Sequence, residues 1–228
     1  MNYSIIIFCF NEQGTLNAVF QDSLKFLNGN LIDSEIIIVN DGSTDRTIEV
    51  CNQIQSQFPS VRFIHHPQNL GIGMALRSGY NAAKNEYVCA IPGDGQFDIM
   101  ELCQVKPFDE HIYYSFYRPL TNYSFYRSCL TWFNRLFNQH VLAVYLRDVN
   151  WIKVYKKAQI NAVNPKLKSS LIESEICAKL YKLNVHSIEI PSVYLERRSG
   201  VSKGGSWNTL KKAMADTVLL WWVVFRFK

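Results

Sequence analysis

The sequence has no long apolar run, no internal repeat and few charged residues. No uninterrupted apolar stretch reaches the roughly 18 residues that a membrane-spanning helix needs, which excludes such a helix. Charged residues make up only 19% of the 228 residues, and 48% are hydrophobic. A chain of this length and composition can bury a sizeable core, so we expect one domain, or one domain with an appendage.

The charges that are present nearly balance. Lysine and arginine number 24, and aspartate and glutamate number 19, which gives a formal net charge of +5. So small an excess does not indicate a nucleic-acid partner, and we expect none. It is compatible with an anionic substrate or an anionic membrane surface.

Neither the cysteines nor the histidines are spaced for a metal site or a disulfide framework. The six cysteines include no CxxC pair, and several lie inside apolar segments. No signal peptide is recognisable, so we expect buried thiols in a reducing compartment. His65 and His66 are adjacent and would face opposite sides of a strand, which favours structural roles over metal binding.

Apolar runs alternate with helical signals along the first half of the chain. Four strands are predicted, over 3–10, 35–39, 61–64 and 87–91. The first and the last are apolar runs, which are typical of strands buried on both faces. Helices are predicted between them, over about 15–27, 44–57 and 69–83. This alternation predicts an α/β fold with a mostly parallel central sheet flanked by helices.

Polar clusters follow all four predicted strands. In an open α/β sheet, ligands bind beyond the carboxyl ends of the strands, so these clusters could meet one ligand. Two oxygen ligands, Asp94 and Gln96, could hold a divalent cation against a diphosphate. The clusters are Asn11-Glu12, Asn40-Asp41-Gly42-Ser43, Asn69-Leu70-Gly71-Ile72-Gly73 and Asp94-Gly95-Gln96.

The second and third clusters suit a nucleotide. Asp41 can accept a hydrogen bond from a base or a ribose, and Gly42 allows a close backbone approach. Gly71 and Gly73 form half of a glycine-rich phosphate turn. A turn that caps the following helix is an equally good interpretation of residues 41–45.

Together these segments resemble the family 2 glycosyltransferases of the GT-A fold. The matching segments, in order, are 4–12, 36–45, 69–73 and 93–96. Within the family, the chain is most similar to the polyprenyl-phosphate sugar transferases of the dolichol-phosphate mannose synthase type. The resemblance implies a GT-A domain over 1–204. The apolar pattern of the remaining segment, rather than the resemblance, predicts an amphipathic C-terminal helix over 205–228.

The resemblance also implies an activity. The enzyme would transfer a sugar, with inversion, from a nucleotide-diphosphate sugar to a polyprenyl phosphate. It would work at the cytoplasmic face of a membrane, as a peripheral protein. Mg²⁺ or Mn²⁺ would be the cofactor.

The family's donor-site residues carry over by position. Asn11, Glu12 and Asp41 would hold the base and ribose of the nucleotide, and Gly71 and Gly73 would belong to the same nucleotide-sugar site. Asp94 matches the second aspartate of the family's metal motif, and it would serve both the donor and catalysis. Gln96 matches the glutamine that can also face the metal.

Two positions depart from the family's pattern. Phe8 stands where the family usually has proline, and Pro92 stands where the first aspartate of the metal motif is usual. Since a proline side chain cannot bind a cation, the expected metal site has one carboxylate fewer than usual.

Three residues of the second half match the positions that cradle the acceptor phosphate. Arg118 ends a predicted strand over 111–117, and Arg127 and Thr131 share one face of a predicted helix over 122–139. Arginine suits phosphate because it can donate two parallel hydrogen bonds. Arg127 is also a candidate for catalysis, whereas solvated surface arginines are the alternative interpretation.

Asp148 is the candidate acidic residue near the reacting atoms. A phosphate acceptor is already ionised near neutral pH, so Asp148 could orient the sugar or the metal rather than act as a base. Arg198 and Ser202 lie in a basic loop over 197–203, after a predicted strand over 187–194. They match the family's arginine and serine on the loop that closes over the diphosphate and the acceptor; a disordered loop is the alternative.

The C-terminal segment has a helical apolar stripe. Apolar residues recur there at steps of three and four, and residues 218–225 are wholly apolar, with Trp221 and Trp222 among them. This helix could lie in the membrane interface, with its tryptophans at the depth of the lipid headgroups. It could instead pack on the domain or form the interface of a homo-oligomer.

Two other functions stay compatible with the sequence. The same fold could glycosylate a saccharide hydroxyl, in which case Asp148 would be an essential base. The chain could also be a non-catalytic nucleotide-sugar binder, an alternative that Pro92 keeps open.

Overall fold

The structure is a computed structural model that describes residues 1–30, 33–119, 136–196 and 207–227. Within these residues, one sheet contains the strands β1 (Tyr3–Cys9), β2 (Glu35–Asn40), β3 (Arg62–His65), β4 (Tyr87–Pro92), β5 (Ile112–Tyr117), β6 (Lys153–Lys156) and β7 (His186–Pro191). The helices are α1 (Leu16–Asn30), α2 (Thr47–Gln57), α3 (Ile72–Ala82), α4 (described over 136–142), α5 (Lys157–Val163), α6 (Ile172–Lys182) and α7 (Trp207–Arg226). A short 3₁₀ helix, η1 (Ile99–Gln104), follows β4.

The strands follow the order β3-β2-β1-β4-β6-β5-β7. β1 pairs in parallel with β2 on one side and with β4 on the other. β6 is antiparallel to both of its neighbours, while β5 and β7 are parallel to each other. The predicted α/β fold, with a mostly parallel sheet flanked by helices, is confirmed.

The core lies on both faces of the sheet. Ile5 and Ile7 of β1 face α1 and α2, where they pack in one cluster with Phe20. Ile6 faces the opposite side of the sheet. It belongs to a second cluster that includes Leu76 of α3 and Ile176 of α6. Because successive side chains of a strand alternate between the two faces, a strand covered on both sides must be mainly apolar, as the run over 3–10 is. Its one polar side chain, Ser4, is buried and donates to the carboxylate of Glu35 at 2.6 Å.

Two parts of the second half differ from the sequence-based prediction. β6 and α5 were not predicted, because β6 spans four residues and begins with Lys153, which is buried. The ammonium group of Lys153 donates to the carbonyl oxygens of Val149 and Trp151, at 2.5 and 3.0 Å. These bonds satisfy a buried charge that a strand pattern would not predict.

Most of the described cysteines are buried, as predicted, and no described helix could span a membrane. Cys9, Cys51, Cys89 and Cys177 are buried, as expected, but the prediction was wrong for Cys103, which is exposed in η1. Cys129 lies outside the described residues. None of the helices that the structure describes is both long and apolar enough to cross a membrane.

A buried ion pair organises the loop between α5 and α6. Glu175 is fully buried and accepts the N–H groups of Lys166 and Leu167, at 2.9 and 2.8 Å. Lys179, one turn later, donates to the same carboxylate at 2.5 Å. The loop then passes so close to the start of α3 that a Cβ on Gly73 would lie 2.4 Å from backbone atoms of residues 168–169. The ion pair therefore holds the loop that packs against the glycine-rich turn at Gly73.

Glu175→Ala is expected to lower the free energy of unfolding by about 3–5 kcal/mol, because it leaves Lys179 buried without a counter-charge and removes the acceptor of two backbone N–H groups. Urea denaturation measures this change. Glu110→Ala is the matched control, since Glu110 is exposed and surface substitutions change stability by about 0.5 kcal/mol or less. Equal stability of the two variants would contradict the role given to Glu175.

Candidate active site

The predicted polar clusters converge at the carboxyl ends of β1, β2 and β4. The N–H of Gly93 donates to the carbonyl of Phe8, and the N–H of Asp41 donates to that of Cys9, both at 2.9 Å. Asn11 lies just beyond β1, with its N–H bonded to the hydroxyl of Ser43 at 2.9 Å. The loops after three strands are therefore joined where ligands of open α/β sheets bind.

Asn11 and Glu12 link the loop after β1 to its neighbours. The side-chain oxygen of Asn11 accepts the N–H of Thr44 at 2.7 Å. Asn11 has a φ of 57°, in the left-handed region that asparagine tolerates. Glu12 is buried, and the hydroxyl of Thr15 lies 3.2 Å from its carboxylate and 2.7 Å from the carbonyl of Gly93. Both side chains therefore lie at the junction of the loops.

Asp41 is buried and shapes the glycine-rich turn before α3. One carboxylate oxygen accepts the N–H of Leu70 at 3.0 Å and contacts Nδ1 of His66 at 2.7 Å. The other accepts the N–H of Gly71 at 2.9 Å. Nε2 of His66 in turn contacts the hydroxyl of Ser78, at 2.9 Å. The second and third clusters of the sequence thus form one unit, supported by His66.

Two glycines of this unit adopt backbone conformations with positive φ, and one of them is also closely packed. Gly42 has a φ of 67°, and a Cβ there would lie 2.1 Å from the backbone of Gln68. Gly71 has a φ of 97°, so it too occupies a backbone conformation that other residues rarely adopt. Gly42 thus lets the loop after β2 lie directly against the segment before the turn, whereas Gly73 lets the start of α3 lie against residues 168–169.

The predicted metal ligands, Asp94 and Gln96, lie just beyond the end of β4. Pro92 pairs with Phe8 in the sheet register, so the chain continues as a strand up to the proline. An oxygen of Asp94 accepts the N–H of Gln96 at 3.1 Å, and the amide nitrogen of Gln96 donates to the hydroxyl of Tyr194. A carboxylate and an amide oxygen lie two residues apart here.

These two oxygen ligands fit a hard cation that takes its other ligands from a substrate. Among the residues that the structure describes, no group of three or more histidine, cysteine, aspartate or glutamate side chains could hold a metal ion. Mg²⁺ is commonly bound through one or two carboxylates together with phosphates and water. Asp94 and Gln96 therefore suit a cation that arrives with a diphosphate.

Arg118 and Asp148 form one ion pair, although separate roles were predicted for them. Nε and Nη2 of Arg118 donate to the two carboxylate oxygens of Asp148, at 2.6 and 3.2 Å. The guanidinium carbon lies 4.5 Å from the ring centre of Trp151 and 5.7 Å from that of Tyr194. Since Asp148 also accepts the N–H of Asn150 at 3.2 Å, this geometry favours an orienting role over that of a general base.

Four predicted site residues lie outside the part of the chain that the structure describes, and three residues near the site were not predicted to belong to it. Arg127, Thr131, Arg198 and Ser202 lie outside the described residues. Sequence reasoning missed Tyr194 and Trp151 as site residues, and it did not foresee that His66 supports Asp41. No local pattern marks these contacts, because each joins segments that are distant along the chain.

Curated relatives share the first part of this site. A dolichyl-phosphate beta-glucosyltransferase, ALG5A, of Trichomonas vaginalis is 29% identical over 108 residues, which cover 43% of this chain and 33% of that protein. The dolichyl-phosphate beta-glucosyltransferase of Dictyostelium discoideum is 30% identical over 110 residues, covering 45% and 34%. The matched part thus spans about a third of the length of these relatives.

Solved structures share the fold over nearly the whole chain. Glucosyl-3-phosphoglycerate synthase from Mycobacterium tuberculosis, in complex with uridine diphosphate, superposes with a TM-score of 0.68 at 16% identity, covering 96% of this chain and 80% of that one. S. aureus TarS 1–349 gives a TM-score of 0.55 at 18% identity, covering 86% and 59%. At these identities, the similarity shows a GT-A type fold and nothing more specific.

The family itself is identified by its sequence model. The model described as "Glycosyl transferase family 2" matches residues 4–151, which is more than half of the chain and includes all the strand-end clusters described above. With a GT-A type fold and this match, the chain belongs to glycosyltransferase family 2.

Proposed function

We propose that this glycosyltransferase moves a sugar from a nucleotide-diphosphate sugar to a polyprenyl phosphate, with inversion at the anomeric carbon. The observation that carries the proposal is the contact between the two halves of the site. Gln96 of the metal motif bonds to Tyr194, whose ring lies against the Arg118–Asp148 pair. A cation-binding group for a donor diphosphate thus adjoins an arginine suited to an acceptor phosphate.

The donor nucleotide lies against the loops after β1 and β2. Asn11, Glu12 and Asp41 contact its base and ribose, and the turn at Gly71 and Gly73 adjoins it. A carboxylate has about four acceptor positions, and the structure fills three of those on Asp41. The fourth suits a donor group of the nucleotide, while the other three hold the carboxylate in place.

Asp94 and Gln96 hold the divalent cation, Mg²⁺ or Mn²⁺. Such a cation would offset the negative charge that builds on the departing diphosphate. The M. tuberculosis synthase has been crystallised with Mn²⁺ and uridine diphosphate, which supports this cofactor class for the fold. Because Pro92 removes one carboxylate, we expect binding of the cation to depend strongly on the diphosphate.

The acceptor phosphate needs to be positioned rather than deprotonated. Its oxygen attacks the anomeric carbon while the bond from that carbon to the diphosphate breaks. Arg118, oriented by Asp148 and by two aromatic rings, holds the phosphate near the donor, which is catalysis by proximity. By family position, Arg127, Thr131 and Ser202 would assist at the acceptor, and Arg198 at the diphosphate.

Helix α7 would bring the enzyme to the membrane surface that contains such an acceptor. Leu220 and Val224 are buried against the domain, and the ammonium group of Lys182 donates to the carbonyl of Val224 at 2.7 Å. The side chains turned to solvent are also apolar: Val218, Leu219, Trp221, Trp222 and Phe225 are all exposed. Two tryptophans on an apolar face are typical of a helix that lies in the membrane interface. The protein would therefore be peripheral to the cytoplasmic face.

A transfer assay tests the proposal. Purified protein is incubated with a panel of nucleotide sugars, a short-chain polyprenyl phosphate and Mg²⁺ or Mn²⁺, and the lipid product is detected by mass spectrometry. We expect a glycosylated lipid phosphate that forms only with metal. Asp94→Asn should lower kcat/KM by about 100-fold or more, because the charge on the leaving diphosphate is then poorly offset.

Asp98→Asn is the matched control for this substitution. Asp98 is exposed and caps η1 by accepting the N–H of Met100, and asparagine caps equally well. Full activity of Asp94→Asn would contradict the metal assignment. Transfer to a saccharide, with none to the lipid phosphate, would favour the alternative acceptor.

Replacing the exposed tryptophans tests the membrane surface. The double variant Trp221→Ser and Trp222→Ser should lower the partition coefficient onto anionic phospholipid vesicles by about tenfold or more, since two large apolar side chains no longer enter the interface. Sedimentation with the vesicles measures it, with Tyr145→Ser as the control for an exposed aromatic residue elsewhere. Unchanged partitioning would instead indicate that a protein surface covers this face.

A further inference from the structure

Tyr194 lies between the two halves of the site. It follows β7, and its backbone forms an antiparallel bridge with that of Phe97. The N–H of Leu195 donates to the carbonyl of Gln96 at 3.1 Å. The segment that carries Tyr194 is thus paired directly with the segment that carries the candidate cation ligands.

The hydroxyl of Tyr194 contacts the side chain of Gln96. The amide nitrogen of Gln96 donates to this hydroxyl. Because the amide group is planar, holding its nitrogen also fixes the direction in which its oxygen points. The oxygen is the atom that can bind a hard cation, so the hydroxyl determines how this candidate ligand is presented.

The ring of Tyr194 contacts the acceptor half of the site. It meets the ring of Trp151 edge to face, with centroids 5.7 Å apart. The guanidinium carbon of Arg118 lies within 6 Å of both ring centres, at 4.5 Å for Trp151 and 5.7 Å for Tyr194. The arginine is therefore held by two aromatic rings as well as by the carboxylate of Asp148.

The backbone that precedes Tyr194 is firmly anchored. The N–H of Val193 donates to the buried carboxylate of Glu101 at 2.7 Å. The hydroxyl of Ser192 accepts the indole N–H of Trp151 at 2.9 Å. Since these bonds lie one and two residues before Tyr194, its ring and hydroxyl act from a fixed position.

We propose that Tyr194 is a positioning residue for sugar transfer, whose hydroxyl orients Gln96 toward the cation and whose ring holds Arg118 toward the acceptor phosphate. This inference rests on the proposed function, because it assumes that both ligands bind at this site. The side chain of Tyr194 then sets the distance between Gln96, which helps to hold the cation of the donor, and Arg118, which holds the acceptor phosphate.

Two substitutions separate the hydroxyl from the ring. Tyr194→Phe removes only the hydroxyl, whereas Tyr194→Leu removes the ring as well. Tyr145→Phe and Tyr145→Leu are the matched controls, because Tyr145 is exposed and belongs to neither half of the site. Calorimetric titration measures Mn²⁺ binding with uridine or guanosine diphosphate present, and the transfer assay gives the KM for polyprenyl phosphate.

Both variants should bind Mn²⁺ more weakly, but only Tyr194→Leu should also have a higher KM for the acceptor. Tyr194→Phe should weaken Mn²⁺ binding by about tenfold, the low end of the loss seen when a metal ligand loses its hydrogen-bond partner, with the acceptor KM unchanged. Tyr194→Leu should weaken Mn²⁺ binding to the same extent and also raise the acceptor KM by about fivefold. Adding Tyr194→Phe to Gln96→Ala should weaken Mn²⁺ binding no further, since the hydroxyl acts through Gln96.

Several results would overturn the proposal. Unchanged Mn²⁺ binding in Tyr194→Phe would remove the role of the hydroxyl, and an unchanged acceptor KM in Tyr194→Leu would remove that of the ring. If kcat fell while the Mn²⁺ affinity and the KM for polyprenyl phosphate stayed unchanged, the role of Tyr194 would be merely structural. Failure of the proposed function is distinguishable, because the wild-type protein would then transfer no sugar to polyprenyl phosphate while Tyr194→Phe still weakened Mn²⁺ binding.

Discussion

The parallel pairing of β1 with both β2 and β4 is the constraint on which the donor half of the site depends. Because the three strands run in the same direction, the chain leaves the sheet three times at one edge, and Asn11, Asp41 and Asp94 follow those exits. The order of the strands changes direction between β1 and β4, which is where open α/β sheets bind ligands. The carboxylate of Asp41, which accepts the N–H groups of Leu70 and Gly71, then fixes the glycine-rich turn against the same edge.

The direction of β6 brings the residues proposed to bind the acceptor to this edge as well. β6 is antiparallel to β4 and β5, so the residues just before β6 lie beside the end of β4. For the same reason, the end of β5 and the end of its parallel neighbour β7 lie there too. Asp148 precedes β6, Arg118 follows β5 and Tyr194 follows β7. Three separate connections thus place an ion pair and an aromatic ring next to the metal motif.

The sequence predicted the first half well because its signals are local. A strand buried on both faces must be mainly apolar, and the polar residues that follow it mark the end of the strand. The polar clusters at Asp41 and Asp94 and the turn at Gly71 and Gly73 could therefore be located from the sequence. Their roles in binding a nucleotide and a metal ion rest on the family resemblance and stay predictions.

The contacts of the second half could not be predicted, since each depends on tertiary structure. β6 has four residues and a buried lysine, so no periodicity marks it, and the pairing of Arg118 with Asp148 follows only from its direction. The bond between Gln96 and Tyr194 joins residues nearly a hundred positions apart. Similarly, the apolar stripe of α7 predicted an amphipathic helix, but only the packing of Leu220 and Val224 shows which side faces the domain.

The proposed function requires a donor diphosphate and its cation to bind between Asp94 and the Arg118–Asp148 pair. The most direct measurement is a crystal structure with Mn²⁺ and the nucleoside diphosphate that the transfer reaction releases, in which anomalous scattering locates the metal. We predict a Mn²⁺ peak bonded to the carboxylate of Asp94 and to the diphosphate, with Arg118 still paired to Asp148. A nucleotide bound at another edge of the sheet, or a Mn²⁺ peak away from Asp94, would contradict this account.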